Sequence, residues 1–331
     1  MMAPILPWHD QIWQQVLQRW QQDRLPHALL LCGPQGMGKA FFAQRLAEAL
    51  LCEQPLANGQ ACGNCKPCHL RNAATHPDLL QIQPADVGKQ IPVDTIRDLI
   101  QFCNLTANYS HYQVVIIKPA EAMNRNAANS LLKLLEEPPA NTLLMLVSHQ
   151  PMALVATIRS RCQRLDFSRP DHTVVQTWLQ SKISPDLNAQ LLLDLTAQAP
   201  LAAVALVETD SLTKRHELFA SLTKLPTGQS DPIAIAGTWS KLDSTPVILQ
   251  WMLSWTMDSI RYVSTGQTQH VINRDHLDLL LRFTSQLNLP KLFELLDLQR
   301  EAYSLITGST NVNPQGLLES IAIAWVKLGT H

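Results

Sequence analysis

The seven residues Gly33-Pro34-Gln35-Gly36-Met37-Gly38-Lys39 limit what this chain can fold into more than any other feature. They follow an apolar run, HALLLCG (27–33), and precede a helical run, FFAQRLAEALL (41–51). Glycines so spaced let backbone N–H groups converge on an anion at a helix N-terminus, and a lysine at the end neutralises phosphate oxygens. The segment therefore reads as strand, phosphate loop and helix, with Gly33, Gly36, Gly38 and Lys39 as nucleotide-binding candidates. The alternative is a glycine-rich turn that merely links strand to helix.

Further apolar runs, DLLQIQ (78–83), QVVIIKP (113–119) and TLLMLVSH (142–149), alternate with segments of helical period such as Ile96, Leu99, Ile100 and Cys103, or Leu131, Leu132 and Leu135. Strands apolar on both faces and separated by helices imply a parallel sheet covered on both sides, an α/β domain. It is expected to span 1–168. Beyond SRPD (168–171) the pattern is helical, broken at SPD (184–186), AP (199–200), PTGQSDP (226–232), STP (244–246) and NLP (288–290). This suggests a small helical domain at 169–208 and an all-α domain at 209–331. A glutamine-rich first helix (Gln11, Gln14, Gln15, Gln18, Gln21, Gln22) reads as a solvated face.

With 331 residues, more than one core is expected. The 26 basic and 27 acidic residues leave a net charge of −1, so any binding to nucleic acid would have to come from local patches. No run approaches a membrane span, and the first residues lack the profile of a signal peptide, so a cytoplasmic protein without membrane contact is expected.

The phosphate loop lacks what hydrolysis requires. Its last position calls for Ser or Thr to bind Mg²⁺, and Ala40 has no hydroxyl. The strand QVVII should end in an acidic pair, one acid for the metal and one to orient the attacking water, but Lys118 and Pro119 stand there. An ammonium in place of a carboxylate changes the local charge by about two units and repels the cation. Glu121 lies two residues past the expected position and is expected to point elsewhere. The chain is therefore expected not to hydrolyse ATP, while Lys39 leaves room for weak nucleotide binding.

Of seven cysteines, Cys52, Cys62, Cys65 and Cys68 cluster as C-x9-C-x2-C-x2-C. Four thiolates close a tetrahedral shell, so a structural Zn²⁺ module at 52–68 is expected, with Gly63 and Pro67 suiting its tight turns. An iron–sulfur cluster is the rival, but the following Cys-Pro is absent. His69 is a substitute ligand in principle, although a surface role suits it better. Cys32, Cys103 and Cys162 read as core thiols.

The degenerate phosphate loop, the inserted four-cysteine module and the stretch NAANSLLKLLEEPPANTLLMLVSHQPMALVATIRSRCQRL (126–165) together resemble the clamp-loader subunits of bacterial DNA polymerase III. LLKLLEEPP and TIRSRC are the specific strings. Ala40, Lys118 and Pro119 depart from the catalytic gamma or tau type and agree with the non-hydrolysing delta-prime type. The resemblance is firm to about residue 168; the rest fits by length and helical class. It implies an AAA+ module made by the first two domains and a C-terminal domain that joins a pentameric collar. It also implies gamma or tau and delta subunits as partners, and the sliding clamp and primer-template DNA reached through the complex.

It further implies that Arg161, in Ser160-Arg161-Cys162, is an arginine finger acting in trans on a neighbour's ATP site. The alternative is an ordinary basic patch of Arg159, Arg161, Arg164 and Arg169. Glu136 and Glu137 close a helix where its partial negative charge disfavours acids, which suggests an inter-subunit contact rather than a solvated turn. Trp251 and Trp255 are candidates for a C-terminal subunit interface. Two other functions compete: an active AAA+ ATPase, and a DNA-binding module on the cysteine knuckle. The latter has only Lys66 and Arg71 as nearby cations.

Overall fold

The computed structural model describes residues 3–86, 88–105, 107, 109–227, 230–284, 288–308 and 312–328. They form two compact units, Met1–Thr177 with Ala199–Leu201, and Trp178–Gln198 with Ala202–His331.

The first unit is built on five parallel strands: β1 (Ala28–Cys32), β2 (Leu79–Ile82), β3 (Gln113–Ile117), β4 (Thr142–Ser148) and β5 (Gln163–Asp166). Their order is β2-β3-β4-β1-β5, with Leu30 opposite Leu146 on one side and Arg164 on the other. Every residue of β1, β3 and β4 is buried, as expected of strands covered on both faces. β5 was not foreseen as a strand; as an edge it buries only Leu165.

The helices of this unit are α1 (Asp10–Gln21), α2 (Lys39–Leu51), α3 (Lys66–Asn72), α4 (Val93–Cys103), α5 (Arg125–Glu136), α6 (Ala156–Arg161) and α7 (His172–Gln180), the last running across the division between units. On α1 the named glutamines are exposed while Trp13, Val16 and Leu17 are buried. α5 starts where the Asn124 side chain accepts from Ala127 N–H at 2.8 Å and stops before Pro138 and Pro139. Cys32, Cys103 and Cys162 are all buried, and burial pushes the thiols of Cys103 and Cys162 up to about 12.

Ahead of α1, a short turn Pro7–His9 lays Leu6 and His9 against the glycine loop. Buried His9 donates from Nε2 to Met37 O at 2.8 Å, and its ring meets those of Phe42 and Phe167 edge-on. Burial lowers its pKa from 6.5 to about 4, outweighing the hydrogen bond to Met37, so the ring is neutral at pH 7.

The second unit is helical: α8 (Ala189–Leu195), α9 (Pro200–Glu208, whose first two residues fall in the first unit), α10 (Ser211–Leu222), α11 (Pro232–Leu242), α12 (Thr245–Thr265), α13 (Leu277–Thr284), α14 (Leu289–Thr307) and α15 (Pro314–Leu328). Its core gathers Phe219, Trp239, Met252, Trp255 and Trp325. Trp251 and Trp255 are 9% and 0% exposed, which corrects their expected place in a subunit interface: they fill this unit's own core. No single helix among the described residues is long and apolar enough to cross a membrane.

A buried polar network ties the segment 271–276 to α10 and α12. Arg215, 2% exposed, pairs with Asp275 at 2.5 Å and also donates to Asn273. Asp258 accepts from Asn273 N–H at 2.7 Å and Ile272 N–H at 2.9 Å. Burial raises the pKa of the Asp275 carboxyl, but hydrogen bonds from His276 and Arg215 hold it well below the usual carboxylate range.

Arg215→Met leaves Asp275 without its cation. It should cost about 3–5 kcal/mol, seen as a lowered denaturation midpoint for the helical unit. Unfolded His9 takes up a proton near pH 6.5 and folded His9 only near 4, so its contribution to stability is complete above pH 6.5 and is lost as pH falls towards 4. At pH 5 the loss should be about 2 kcal/mol, and His9→Gln should remove that part of the pH dependence of unfolding.

Candidate functional site

β1 delivers the chain into the glycine loop, where Gly33, Gly36 and Gly38 have φ of 146°, 80° and 85°. A side chain at Gly33 would put a Cβ 2.3 Å from Phe167 O, and one at Gly38 would lie 2.3 Å from Leu6 Cδ1. Lys39 opens α2 but is 2% exposed and turned back on its own loop, where Nζ donates to Gly33 O and Pro34 O, both at 2.6 Å. Burial lowers its ammonium to about 8, against the opposing charge of Glu121. Trp8 Nε1 donates to Met37 O at 3.0 Å, beside the His9 bond to the same carbonyl. The four expected residues are thus together, and the lysine is engaged by backbone carbonyls.

At the carboxyl end of β3, where a metal-binding acid would stand, Lys118 is exposed. Glu121 Oε1 instead accepts from the backbone N–H groups of His149 at 2.9 Å and Gln150 at 3.2 Å, past the end of β4. One oxygen of its carboxylate thus fixes that loop, while Oε2 is buried without a hydrogen-bond partner.

Arg161 ends α6 and is about one-third exposed. One guanidinium nitrogen, Nη1, donates to Thr157 O at 3.2 Å, and the other, Nη2, to Glu136 Oε1 at 2.6 Å. The LLKLLEEPP and SRC strings therefore meet in space. Glu136, half exposed, has a partner within the chain and is not a plain solvated turn, while Glu137 is exposed. Arg164 is neutralised by Asp166 at 2.7 Å and Arg159 lies against Met152.

Cys52, Cys62, Cys65 and Cys68 carry their sulfurs within 4.8 Å of one another, with Cys52 to Cys65 at 3.9 Å and Cys62 to Cys68 at 4.0 Å. Four ligands about 2.3 Å from a tetrahedral ion stand about 3.8 Å apart, so the group could hold a metal ion. Hydrogen bonds from the backbone of Asn64 and Cys65 lower the Cys62 thiol to about 6. His69 is exposed and outside the group. The module is anchored by Trp13 Nε1 donating to Asn58 O at 3.0 Å and by a buried ion pair between Arg71 and Glu48. Arg71 is engaged by Glu48, and Lys66 is exposed and lies over the Tyr109 ring, so one uncompensated cation stands near the knuckle among the described residues.

Sequence reading missed Trp8 and His9, which brace the loop, and Glu136 as the partner of Arg161. For the first two the only signal is a Pro-initiated turn before an amphipathic helix. For Glu136 it is the acid misplaced at a helix end.

Residues 8–171 match the family described as DNA polymerase III, delta subunit, and residues 209–327 match the one described as DNA polymerase III, delta subunit, C terminal. The chain is 36% identical to the DNA polymerase III subunit delta' of Pseudomonas aeruginosa, covering 99% of both chains. It is 33% identical to that of Escherichia coli K12, over 77% of this chain and 76% of the other. Among solved structures, a DNA polymerase III gamma subunit-related protein from Thermotoga maritima superposes with a TM-score of 0.52 at 20% identity, covering 96% of this chain and 99% of that one. The α/β unit and the helical region have the AAA+ clamp-loader architecture, and the chain belongs to the DNA polymerase III delta-prime family.

Proposed function

We propose that this chain is a non-hydrolysing clamp-loader subunit that completes the ATP site of a neighbouring gamma or tau subunit with Arg161, in a cytoplasmic complex that also holds delta and loads the sliding clamp onto primed DNA. The observation that carries the reading is where Arg161 stands on the sheet. β1 and β5 are parallel, with Gln163 opposite Leu29. The phosphate loop follows the carboxyl end of β1, whereas Arg161 precedes the amino end of β5. From Leu29 to Gly33 the ladder alone spans about 13 Å, and Arg161 lies beyond it. An exposed guanidinium so placed serves an ATP site on another subunit, not its own.

The chain's own site supports the other half of the reading. Ala40 offers no hydroxyl, Lys118 occupies the metal acid's place, Glu121 is bound to backbone, and Lys39 is bonded to Gly33 and Pro34. A phosphate would have to displace Lys39 from two carbonyls before gaining its charge, which weakens any nucleotide binding. The domain division proposed with this reading is an AAA+ pair, 1–168 and 169–208, and a collar domain at 209–331.

The four-cysteine group is proposed to hold a structural zinc ion, since four sulfurs leave no open coordination position for chemistry. Elemental analysis should find about one zinc per chain, and Cys65→Ser should release it and lower the Tm of the first unit. Iron in its place, or wild-type stability without any metal, would overturn the assignment.

In the complex reconstituted with its ATPase subunits, Arg161→Ala should abolish the DNA-stimulated turnover of the site it serves. A finger is worth about 10³ to 10⁵ in rate there. The isolated chain should turn over no ATP with Mg²⁺. Turnover equal to wild type in the Arg161→Ala complex sinks the finger role.

A further inference from the structure

We infer that Glu136 is the positioning residue of the Arg161 finger, holding the guanidinium in the orientation it presents to the neighbouring subunit; this rests on the finger reading above. Glu136 is the last residue of α5, where exposed carbonyls make a carboxylate unfavourable. What offsets that cost is Arg161, 2.6 Å away and itself the last residue of α6, where a cation is favoured. Two helix ends with opposite needs are thereby joined through one ion pair.

The pair fixes the guanidinium from two sides. Nη1 is tied to Thr157 O within α6 and Nη2 to Glu136 of a different helix, so neither the position nor the tilt of the plane is left to the side chain's own rotamers. A guanidinium has five N–H donors, and these two bonds use two, leaving three for a phosphate. Arg161 can therefore engage its target without leaving Glu136. A free arginine side chain carries about 2 kcal/mol of rotamer entropy, and a finger already held loses less of it on engagement.

The partners are 36% and 50% exposed, so the pair contributes little to the stability of the fold. Its contribution is to geometry. Glu137 supplies the control: same charge, next in sequence, exposed, and at the same helix end.

The test compares Glu136→Ala, Glu136→Gln, Glu137→Ala and Arg161→Ala in the reconstituted clamp-loader complex, with assembly checked by native mass measurement. The readout is the Arg161-dependent part of DNA-stimulated ATP turnover, wild type minus Arg161→Ala. Glu136→Ala should lower the kcat of that part about tenfold, as misplaced groups do, with KM for ATP changed less than twofold. Glu136→Gln, whose amide oxygen can still accept from Nη2, should restore most of it, and Glu137→Ala should match wild type. Wild-type turnover in Glu136→Ala overturns the positioning role while leaving the finger intact. A faster Glu136→Ala complex would make Glu136 a restraint and also overturns it. No effect of Arg161→Ala removes the finger reading on which both depend.

Discussion

Lys39 bonded to the carbonyls of Gly33 and Pro34 is the contact on which the arrangement of the first unit turns. A loop that turns its N–H groups toward an anion leaves carbonyls pointing the other way, and those shielded from water need donors. Lys39 supplies one from the start of α2, while Trp8 and His9 supply others to Met37 from the segment before α1. The loop thus pins β1, α2 and the N-terminal turn together. His9, Phe42 and Phe167 seal the space beneath it with edge-to-face rings. Burial in that space is what lowers the pKa of His9, leaving a neutral ring whose Nε2–H donates to Met37.

The same sheet separates the two sites. Because every strand is parallel, the ends of β1, β3 and β4 where a phosphate site is built lie opposite the end at which α6 hands over to β5. An arginine at that handover faces away from its own loop by topology alone, whatever its side chain does. Glu136 then refines the placement. α5 stops there because Pro138 and Pro139 follow, so the carboxylate sits at a fixed height above α6.

Reading the residues recovered what burial on two faces imposes. β1, β3 and β4 are continuous apolar runs buried on both faces, and β2, an edge that buries only Ile82, was still legible because three of its four residues are apolar. β5 escaped because an edge strand needs only one buried residue, and Gln163, Arg164 and Asp166 around Leu165 carry no strand pattern. The cysteine cluster was legible since the spacing itself states the chemistry. Trp251 and Trp255 were not, because an apolar stripe on a helix has the same period whether it faces its own core or a neighbour. The pairing of Arg161 with Glu136 joins residues 25 apart in sequence and required the packing of α5 on α6.

The parts of the phosphate-loop motif that remain and the parts that are missing sort by what they touch. Gly33 and Gly38 stand where a Cβ would collide with Phe167 O and Leu6 Cδ1, so the fold demands them with or without a nucleotide. Lys39 donates to the carbonyls of Gly33 and Pro34 and so ties the start of α2 to the loop. Position 40, by contrast, lies on the partly exposed first turn of α2, and Lys118 is exposed past the end of β3. Neither side chain is buried, so a metal ligand could be absent from both at little cost to stability. A motif can therefore keep the outline of a phosphate site for reasons of packing while lacking every group whose sole task is the metal, and the loop alone is no evidence of hydrolysis.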